Sequence, residues 1–163
     1  MQLILKNNNT LLLDDFEFKC SIGKKGKTKN KKEGDFKTPI GIYKIDTLFY
    51  RKDKYPKIIT KLKRIPIQKN MGWCDDVNSK YYNKLIKLNK NVRHEKLFRK
   101  SSNYDLLIPI SYNTKRPIKN KGSAIFIHLT KNYKKTLGCI AIKENDMLVL
   151  LKIINKKTKI KII

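Results

Sequence analysis

The stretch GSAIFIHLTKNYKKTLGCIAIKENDMLVLLKII, Gly122 to Ile154, carries three structural patterns in succession. SAIFIHL is a near-continuous apolar run about as long as one strand, which is typical of a strand buried on both faces. LGCIAI follows it closely and predicts a second strand. NDMLVLLKII then places Met147 and Leu151 at helical spacing, with Asn145 available as the N-cap of a helix.

Most of the remaining chain also predicts short strands. MQLILKNNNTLLLDDF indicates strands around the NNN turn, and EFKCSI, IYKIDTLFYRK, YDLLIPISYN and KTKIKII indicate further strands. The Gly- and Pro-punctuated segment GKKGKTKNKKEGDFKTPIG predicts a polar loop. Residues 56–92 are interpreted as irregular and VRHEKLFRK as a short helix. Together the patterns predict a mostly β fold, a β-sandwich or mixed sheet with one or two short helices.

The length and charge of the chain limit the classes of protein it can belong to. Its 163 residues suit a single domain spanning residues 1–163. The formal net charge is +26, yet only five of the 39 basic residues are arginine. An AT-rich coding background and a selected polyanion-binding role both explain the charge. Because arginine is the side chain suited to bidentate phosphate recognition, its scarcity argues against specific nucleic-acid readout.

The cysteines do not form a metal or disulfide pattern. Cys20, Cys74 and Cys139 are widely spaced without a CxxC pair, and the chain has only two histidines. A zinc site is therefore not expected, and neither is a disulfide framework. Cys20 and Cys74 are interpreted as packing residues. SIGKKGKT lacks the first glycine of a phosphate-binding loop and the helix that should follow it, so no cofactor is expected either.

Targeting signals are also missing from the sequence. No apolar stretch approaches the ~18 residues of a membrane-spanning helix, so no transmembrane segment is expected. The N-terminus has neither a charged n-region nor a small-residue cleavage site, so no signal peptide is predicted. The sequence alone therefore leaves the compartment of the protein unspecified.

The pair of His128 and Cys139 has the composition of a nucleophilic site. A thiol with a pKa near 8.5 is mostly protonated at neutral pH, and a neighbouring imidazole can accept its proton. The intervening residues allow one strand to end and the next to begin, which would bring the two side chains together on adjacent strands. Gly138 would leave room for an acyl substrate, with the Gly138 and Cys139 amides as an oxyanion hole. The alternative is a buried structural cysteine beside an ordinary histidine.

A resemblance to a known family favours the first alternative. HLTKNYKKTLGCI, His128 to Ile140, resembles the signature of the YkuD-type L,D-transpeptidases, in which a histidine precedes [ST]-x-G-C. GKTKNKKEGDFKTPIGIYKI resembles the Gly-Asp/Thr-Pro-x-Gly segment near the start of small family members. GWCDDVNSKYYN, YDLLIPISYN and KGSAIFIHL resemble further segments in the same order, so the resemblance runs from about Ser21 to Leu151. One difference is Ala141, where many members carry an arginine or another polar residue.

The resemblance implies a YkuD-like catalytic domain that acts on peptidoglycan stem peptides. Cys139 would attack the carbonyl of the L-centre and expel the terminal D-alanine, with His128 as the base. An amine would then resolve the thioester to give an L,D cross-link. With water as the acceptor, the same pair would make an L,D-carboxypeptidase or another cysteine amidase. The family works on the cell wall, so the periplasm or cell envelope is expected even though no signal peptide is predicted.

Four further residues are predicted to bind the substrate: Trp73, Asp75, Asp76 and Thr136. The aspartates suit a cationic group such as a diamino acid side chain, and an Asx turn is the plainer explanation. The indole suits either a cleft wall or the core, and the threonine either reaches the site or closes the turn. His94 and Glu95 are interpreted as a structural or surface pair.

A non-catalytic basic module that binds nucleic acid or an anionic wall polymer is the competing hypothesis. It predicts binding that weakens steeply with salt and is indifferent to Cys139→Ala, whereas the enzyme hypothesis predicts the reverse. On the enzyme hypothesis the partners are peptidoglycan stem peptides, with anionic wall polymers as a further partner and no specific nucleic acid. The protein is expected to be a monomer.

Overall fold

Strands dominate the described part of the chain, residues 1–88 and 91–163 of the computed structural model. These residues form one 3₁₀ turn, Ser102–Tyr104, and one α-helix, α1 (Glu144–Ile153). The strands are β1 (Gln2–Leu5), β2 (Thr10–Leu13), β3 (Phe16–Ser21), β4 (Lys27–Thr28), β5 (Thr38–Pro39), β6 (Gly41–Lys44), β7 (Thr47–Tyr50), β8 (Lys63–Pro66), β9 (Met71–Cys74), β10 (Leu85–Lys87), β11 (His94–Lys96), β12 (Leu106–Pro109), β13 (Phe126–Leu129), β14 (Ile140–Ile142) and β15 (Lys159–Ile162). The predicted mostly β fold is confirmed.

Ten of the described strands form one curled mixed sheet, in the order β6-β15-β1-β2-β3-β14-β13-β12-β7-β8. Within it β13 and β14 run parallel, with Ile127 opposite Ile140 and His128 opposite Ala141. Because the two strands are parallel, residues 130–139 must travel back along the sheet before β14 can begin. The turn before β14 therefore lies beside the start of β13, not beside its end.

Alternation along β13 and β14 separates two cores. Ile127, Leu129, Ile140 and Ile142 belong to the larger apolar cluster, which also takes in side chains of β1, β2, β3 and β15. Full burial of each such side chain contributes about 1.5–3 kcal/mol. Neighbouring residues in a strand point to opposite faces, so Phe126 lies on the other face, in the smaller core.

Helix α1 covers the larger core with Met147, Leu150 and Leu151. The predicted N-cap is wrong, because the helix begins at Glu144 after Lys143, which has extended backbone angles and makes no side-chain capping bond. Acidic side chains in the first turn compensate, since they lie at the positive end of the helix dipole. No helix in the described residues is both long and apolar enough to cross a membrane.

A three-stranded sheet in the order β10-β9-β11 corrects two predictions. The segment 56–92 contains β8, β9 and β10, apart from residues 89 and 90, which lie outside the described part of the chain. VRHEKLFRK does not form a helix, because β11 pairs with β9 and places Glu95 opposite Trp73. Strand pairing between distant segments outweighs the local helix preference of Glu, Lys and Leu.

Candidate active site

Gly138 shapes the turn that delivers Cys139 to the start of β14. Its φ angle is +141°, in a region that favours glycine, and a Cβ there would lie 3.0 Å from the Lys37 carbonyl oxygen. Any larger residue would therefore strain the backbone and press against the neighbouring loop. The backbone conformation of the turn therefore requires the glycine that precedes Cys139 in the sequence motif.

The loop that precedes β6 anchors this turn. The buried Thr38 hydroxyl donates to the Gly138 carbonyl over 2.8 Å and accepts the Gly23 N–H at 3.0 Å. Two backbone hydrogen bonds also join the segments, from Thr136 N–H to Ile22 O and from Lys24 N–H to Thr136 O, both at 2.9 Å. The Thr-Pro motif and the cysteine motif thus form one hydrogen-bonded unit although they lie far apart in sequence.

Thr136 closes the turn with its side chain. Its hydroxyl donates to the Cys139 carbonyl at 2.6 Å and accepts the Gly138 N–H at 3.1 Å. The expectation that the Gly138 amide is free for an oxyanion is therefore wrong. The turn is short and places the Thr136 hydroxyl where it accepts the Gly138 N–H. Thr136 therefore closes the turn, which is one of its two predicted roles. It also lines a cavity beside the thiol.

Cys139 and His128 lie on the same face of the sheet but are not hydrogen-bonded to each other. The Cys139 thiol donates to the Ala124 carbonyl at 3.2 Å and accepts the Phe126 N–H at 3.4 Å. His128 Nδ1 lies 2.9 Å from the Leu129 carbonyl oxygen. The expected juxtaposition on paired positions is thus corrected to a diagonal one, because the parallel register puts Ala141, not Cys139, opposite His128.

Burial holds both groups neutral. It lowers the pKa of His128 to about 4; the positive charge of Arg99 adds to this, and the bond to the Leu129 carbonyl opposes it. Burial also raises the pKa of Cys139 to about 12, aided by the charge of Glu95. Since a carbonyl oxygen only accepts, the Nδ1 of the neutral imidazole carries the hydrogen and Nε2 is left as the basic nitrogen. At neutral pH the site is a thiol beside a neutral imidazole.

Two cavities meet at the thiol. The Glu33 cavity, of about 470 Å³, is lined by Lys31, Glu33, Phe36, Arg93, Asn120 and Ser123. The His128 cavity, of about 650 Å³, is lined by Arg99, Tyr104, His128, Lys134, Lys135 and Ala141. Cys139, Asp75, Glu95 and Leu137 line both cavities. Cys139 is only 8 % exposed, yet it lines both cavities, as does the 62 % exposed Leu137.

A half-buried polar cluster beside the imidazole was not foreseen from the sequence. The Tyr104 hydroxyl donates to Glu95 Oε2 at 2.5 Å, and the Tyr104 ring meets the His128 ring edge-on with centroids 5.2 Å apart. The Arg99 guanidinium lies 3.8 Å from the centroid of the Tyr104 ring, with Nη2 3.4 Å from Glu95 Oε2. Burial raises the pKa of Glu95, and hydrogen bonding to Tyr104 opposes this rise. Glu95 is therefore part of the site, not a surface residue.

The structure places the other three predicted substrate-binding residues, Trp73, Asp75 and Asp76, in different surroundings. Asp75 lines both cavities and is ion-paired to Arg93, with Oδ1 3.1 Å from Nε. Asp76 accepts the Asn78 N–H at 3.0 Å in an Asx turn, and among the described residues it lines neither cavity. Trp73 also lines neither, because its ring packs into the smaller core and its Nε1 donates to Asn83 Oδ1 at 2.9 Å. Of these three residues, only Asp75 lines a cavity that reaches the thiol.

The other two cysteines are buried, and neither forms a disulfide. Cys20 lies in the larger core, and Cys74 is fully buried in β9. Burial raises the pKa of Cys20 to about 12. In the described residues no three histidine, cysteine or carboxylate side chains are grouped so as to hold a metal ion. The interpretation of Cys20 and Cys74 as packing residues agrees with this burial.

Fold and site together define a mixed-sheet protein in which a buried cysteine and a histidine open to a common cavity. The family model for the L,D-transpeptidase catalytic domain, YkuD, matches residues 1–162. The chain therefore belongs to the YkuD family. The resemblance inferred from the sequence motifs is confirmed.

Two solved structures are similar to this chain at low sequence identity. An L,D-transpeptidase from Mycobacterium smegmatis is 9 % identical with a TM-score of 0.47, covering 99 % of this chain and 58 % of that one. Bd1075 from Bdellovibrio bacteriovorus is 17 % identical with a TM-score of 0.49, covering 99 % of this chain and 46 % of that one. This chain thus spans about half the length of each. No curated protein matches the sequence.

Proposed function

We propose that the protein is a cysteine-dependent L,D-transpeptidase that acts on peptidoglycan stem peptides. The observation that carries the proposal is that Cys139 and His128 lie on one face of the sheet and line the same cavity. Membership of the YkuD family supplies the reaction class and the peptidoglycan substrate. The proposal assigns Cys139 as nucleophile and His128 as general base.

The first half-reaction forms a thioester. Cys139 Sγ attacks the carbonyl carbon of the L-centre, and its proton passes to His128 Nε2 as the C–S bond forms. When the tetrahedral adduct collapses, the C–N bond breaks and the proton moves from Nε2 to the leaving nitrogen of D-alanine. Because the pKa values are about 12 and about 4, a resting thiolate–imidazolium pair is strongly disfavoured. Proton transfer therefore accompanies attack instead of preceding it.

The second half-reaction returns the enzyme to its starting state. An acceptor amine attacks the thioester carbonyl, gives its proton to Nε2, and forms the new C–N bond. The C–S bond then breaks and the proton returns to Sγ. An oxyanion at the attacked carbonyl requires donors, and the Gly138 N–H becomes one if Thr136 rotates its hydroxyl away.

Transfer is favoured over hydrolysis because departure of the leaving residue frees one of the two cavities at the thiol for an acceptor peptide. The test is mass spectrometry of a stem tetrapeptide incubated with the protein. Loss of D-alanine with a cross-linked dimer supports transfer, whereas loss of D-alanine to give a tripeptide alone supports an L,D-carboxypeptidase. If D-alanine is retained under all conditions while salt-sensitive polyanion binding persists, the protein is a basic binding module instead.

A further inference from the structure

The two cavities that meet at Cys139 carry opposite charge. The Glu33 cavity has three acidic and two basic side chains on its wall: Glu33, Asp75 and Glu95 against Lys31 and Arg93. The His128 cavity has two acidic and four basic side chains: Asp75 and Glu95 against Arg99, Lys131, Lys134 and Lys135. This division is not a consequence of the +26 net charge, which would make both walls basic. The excess of positive charge lies on the side of the imidazole.

Arg99 is the best-held cation of the His128 cavity. Its guanidinium is stacked on Tyr104, its Nε donates to the Lys96 carbonyl at 2.7 Å, and its Nη2 is 3.4 Å from Glu95 Oε2. Nη1 makes no hydrogen bond to any described residue, and the side chain is 33 % exposed. A guanidinium held in one orientation with donors to spare is suited to a carboxylate, because little rotamer entropy is lost on binding.

Three lysines border the same cavity on the loop between β13 and β14. Lys131, Lys134 and Lys135 are exposed, and none forms an ion pair with a described carboxylate. Their flexible ammonium groups add attraction without fixed geometry. The loop therefore contributes unpaired positive charge to the cavity that Arg99 also lines.

The position of the base determines which part of the substrate enters this cavity, a step that rests on the proposed function. His128 lines the cationic cavity and not the Glu33 cavity. The nitrogen that leaves must receive its proton from Nε2, so the leaving residue departs on the His128 side. That residue carries its terminal carboxylate one carbon away from the nitrogen. The carboxylate therefore enters the cavity in which positive charge is in excess.

We propose that Arg99, with Lys131, Lys134 and Lys135, forms a subsite for the terminal α-carboxylate of the leaving residue. The subsite selects peptides that end in a free carboxylate at the position to be removed. It also orients the scissile bond, because the carboxylate is held on one side of the thiol while the acyl part extends into the Glu33 cavity.

The test is calorimetric titration of the Cys139→Ala protein with a stem tetrapeptide and with its C-terminal carboxamide. The acid should bind at least about tenfold more tightly than the amide, since hydrogen bonds to a charged carboxylate are roughly twice as strong as those to a neutral amide. Arg99→Gln should remove most of this preference, and added salt should reduce it. Arg116→Gln, at an exposed arginine that lines neither cavity, is the matched control and should leave the preference unchanged.

A purely structural role for Arg99 predicts a different pattern. Arg99→Gln would then lower the melting temperature and weaken acid and amide equally, leaving their ratio unchanged. The Lys134→Gln/Lys135→Gln double variant changes only exposed side chains, so it tests the subsite even if Arg99→Gln fails to fold. It should reduce the preference for the acid severalfold.

Each outcome separates this inference from the proposed function. Equal binding of acid and amide to Cys139→Ala, or no binding of the acid at millimolar concentration, overturns the carboxylate subsite even if the native enzyme releases D-alanine. Conversely, an Arg99-dependent preference for the acid in a protein that never releases D-alanine upholds the subsite and overturns the transpeptidase proposal.

Discussion

Cys20 lies on β3 and Cys139 directly precedes the neighbouring strand β14, and the two residues have similar burial and different surroundings. Cys20 is 2 % exposed and Cys139 is 8 % exposed, and burial raises the pKa of each thiol to about 12. Cys20 pairs with Ile142 and belongs to the larger core, whereas Cys139 lies on the opposite face, where both cavities reach it. The comparison teaches that neither burial nor resting pKa distinguishes the proposed nucleophile from the other thiol. A histidine in the same cavity does, because His128 lines a cavity with Cys139, whereas the cavity of about 220 Å³ beside Cys20 has no histidine among its described lining residues.

The largest expected effect is the loss of activity in Cys139→Ala. Because the proposed thioester needs the sulfur, D-alanine release from a stem tetrapeptide should fall by more than about a thousandfold. Mass spectrometry of the peptide products measures it. Cys20→Ala is the matched control, and it should keep the activity while lowering the free energy of unfolding by about 1 kcal/mol. Equal loss in both variants would remove the distinction between the two thiols.

His128→Ala should slow alkylation of Cys139 by about a hundredfold or more at neutral pH, because the base that accepts the thiol proton is missing. Peptide mapping after a timed exposure to iodoacetamide reports each cysteine separately. No histidine is among the described residues that line the cavity beside Cys20, so its alkylation rate should not change. If both cysteines react at rates independent of His128, the imidazole does not act on the thiol.

The pH dependence of stability should show the buried imidazole. An unfolded histidine takes up its proton near pH 6.5, whereas folded His128 resists protonation until about pH 4. Lowering the pH from 6.5 to 4 therefore favours the unfolded chain, by at most about 3 kcal/mol. His128→Gln should flatten this part of the profile relative to the native protein in urea unfolding experiments. An unchanged slope between these pH values contradicts the burial of a neutral imidazole.

The same experiment at alkaline pH should show no difference between the thiols. Unfolded cysteines ionise near pH 9 while Cys20 and Cys139 resist until about pH 12 in the folded protein. Stability that depends on either thiol is therefore present below pH 9 and lost as the pH rises above it. Cys20→Ala and Cys139→Ala should each reduce this alkaline loss by a similar amount.

The smallest effect concerns the turn before the nucleophile. Gly138→Ala should cost about 1–3 kcal/mol, because the new Cβ adopts a strained φ angle and lies 3.0 Å from the Lys37 carbonyl oxygen. Gly26→Ala is the control, since its φ angle is also positive but a Cβ there meets nothing within 4 Å. It should cost about 1 kcal/mol. Thermal or urea unfolding compares the two, and equal costs would mean that the loop around Lys37 yields.

Local sequence patterns predicted the centre of the molecule well. The two apolar runs form β13 and β14, and the segment with apolar residues at helical spacing after them forms α1. For Gly138 the sequence predicted only room for an acyl substrate, and the need for glycine in the turn appeared in the structure. The strands and the helix depend on side-chain alternation and on backbone preferences within a few residues. They can therefore be predicted from short segments of sequence.

The rest of the site could not be predicted in this way. Glu95 and Arg99 come from a segment interpreted as a helix, and Tyr104 comes from the next segment, interpreted as a strand. They form one cluster beside His128, which depends on the pairing of β11 with β9. Trp73 and Asp76 lie within two residues of Asp75 in the sequence. In the fold, however, Trp73 packs into the smaller core and Asp76 forms a turn. Adjacent residues in a strand or turn point in different directions, so proximity in sequence does not place side chains in one cavity.

The sequence by itself determined that the chain is a mostly β protein with a cysteine motif of the YkuD family, because strand periodicity and the motif are local. Only the tertiary structure decided that the Cys139 thiol lies diagonal to His128, between an acidic and a basic cavity. Those relations depend on the parallel register of β13 and β14 and on strand pairing between distant segments. Such long-range contacts are selected by the packing of the whole core and leave no periodic trace in any single segment.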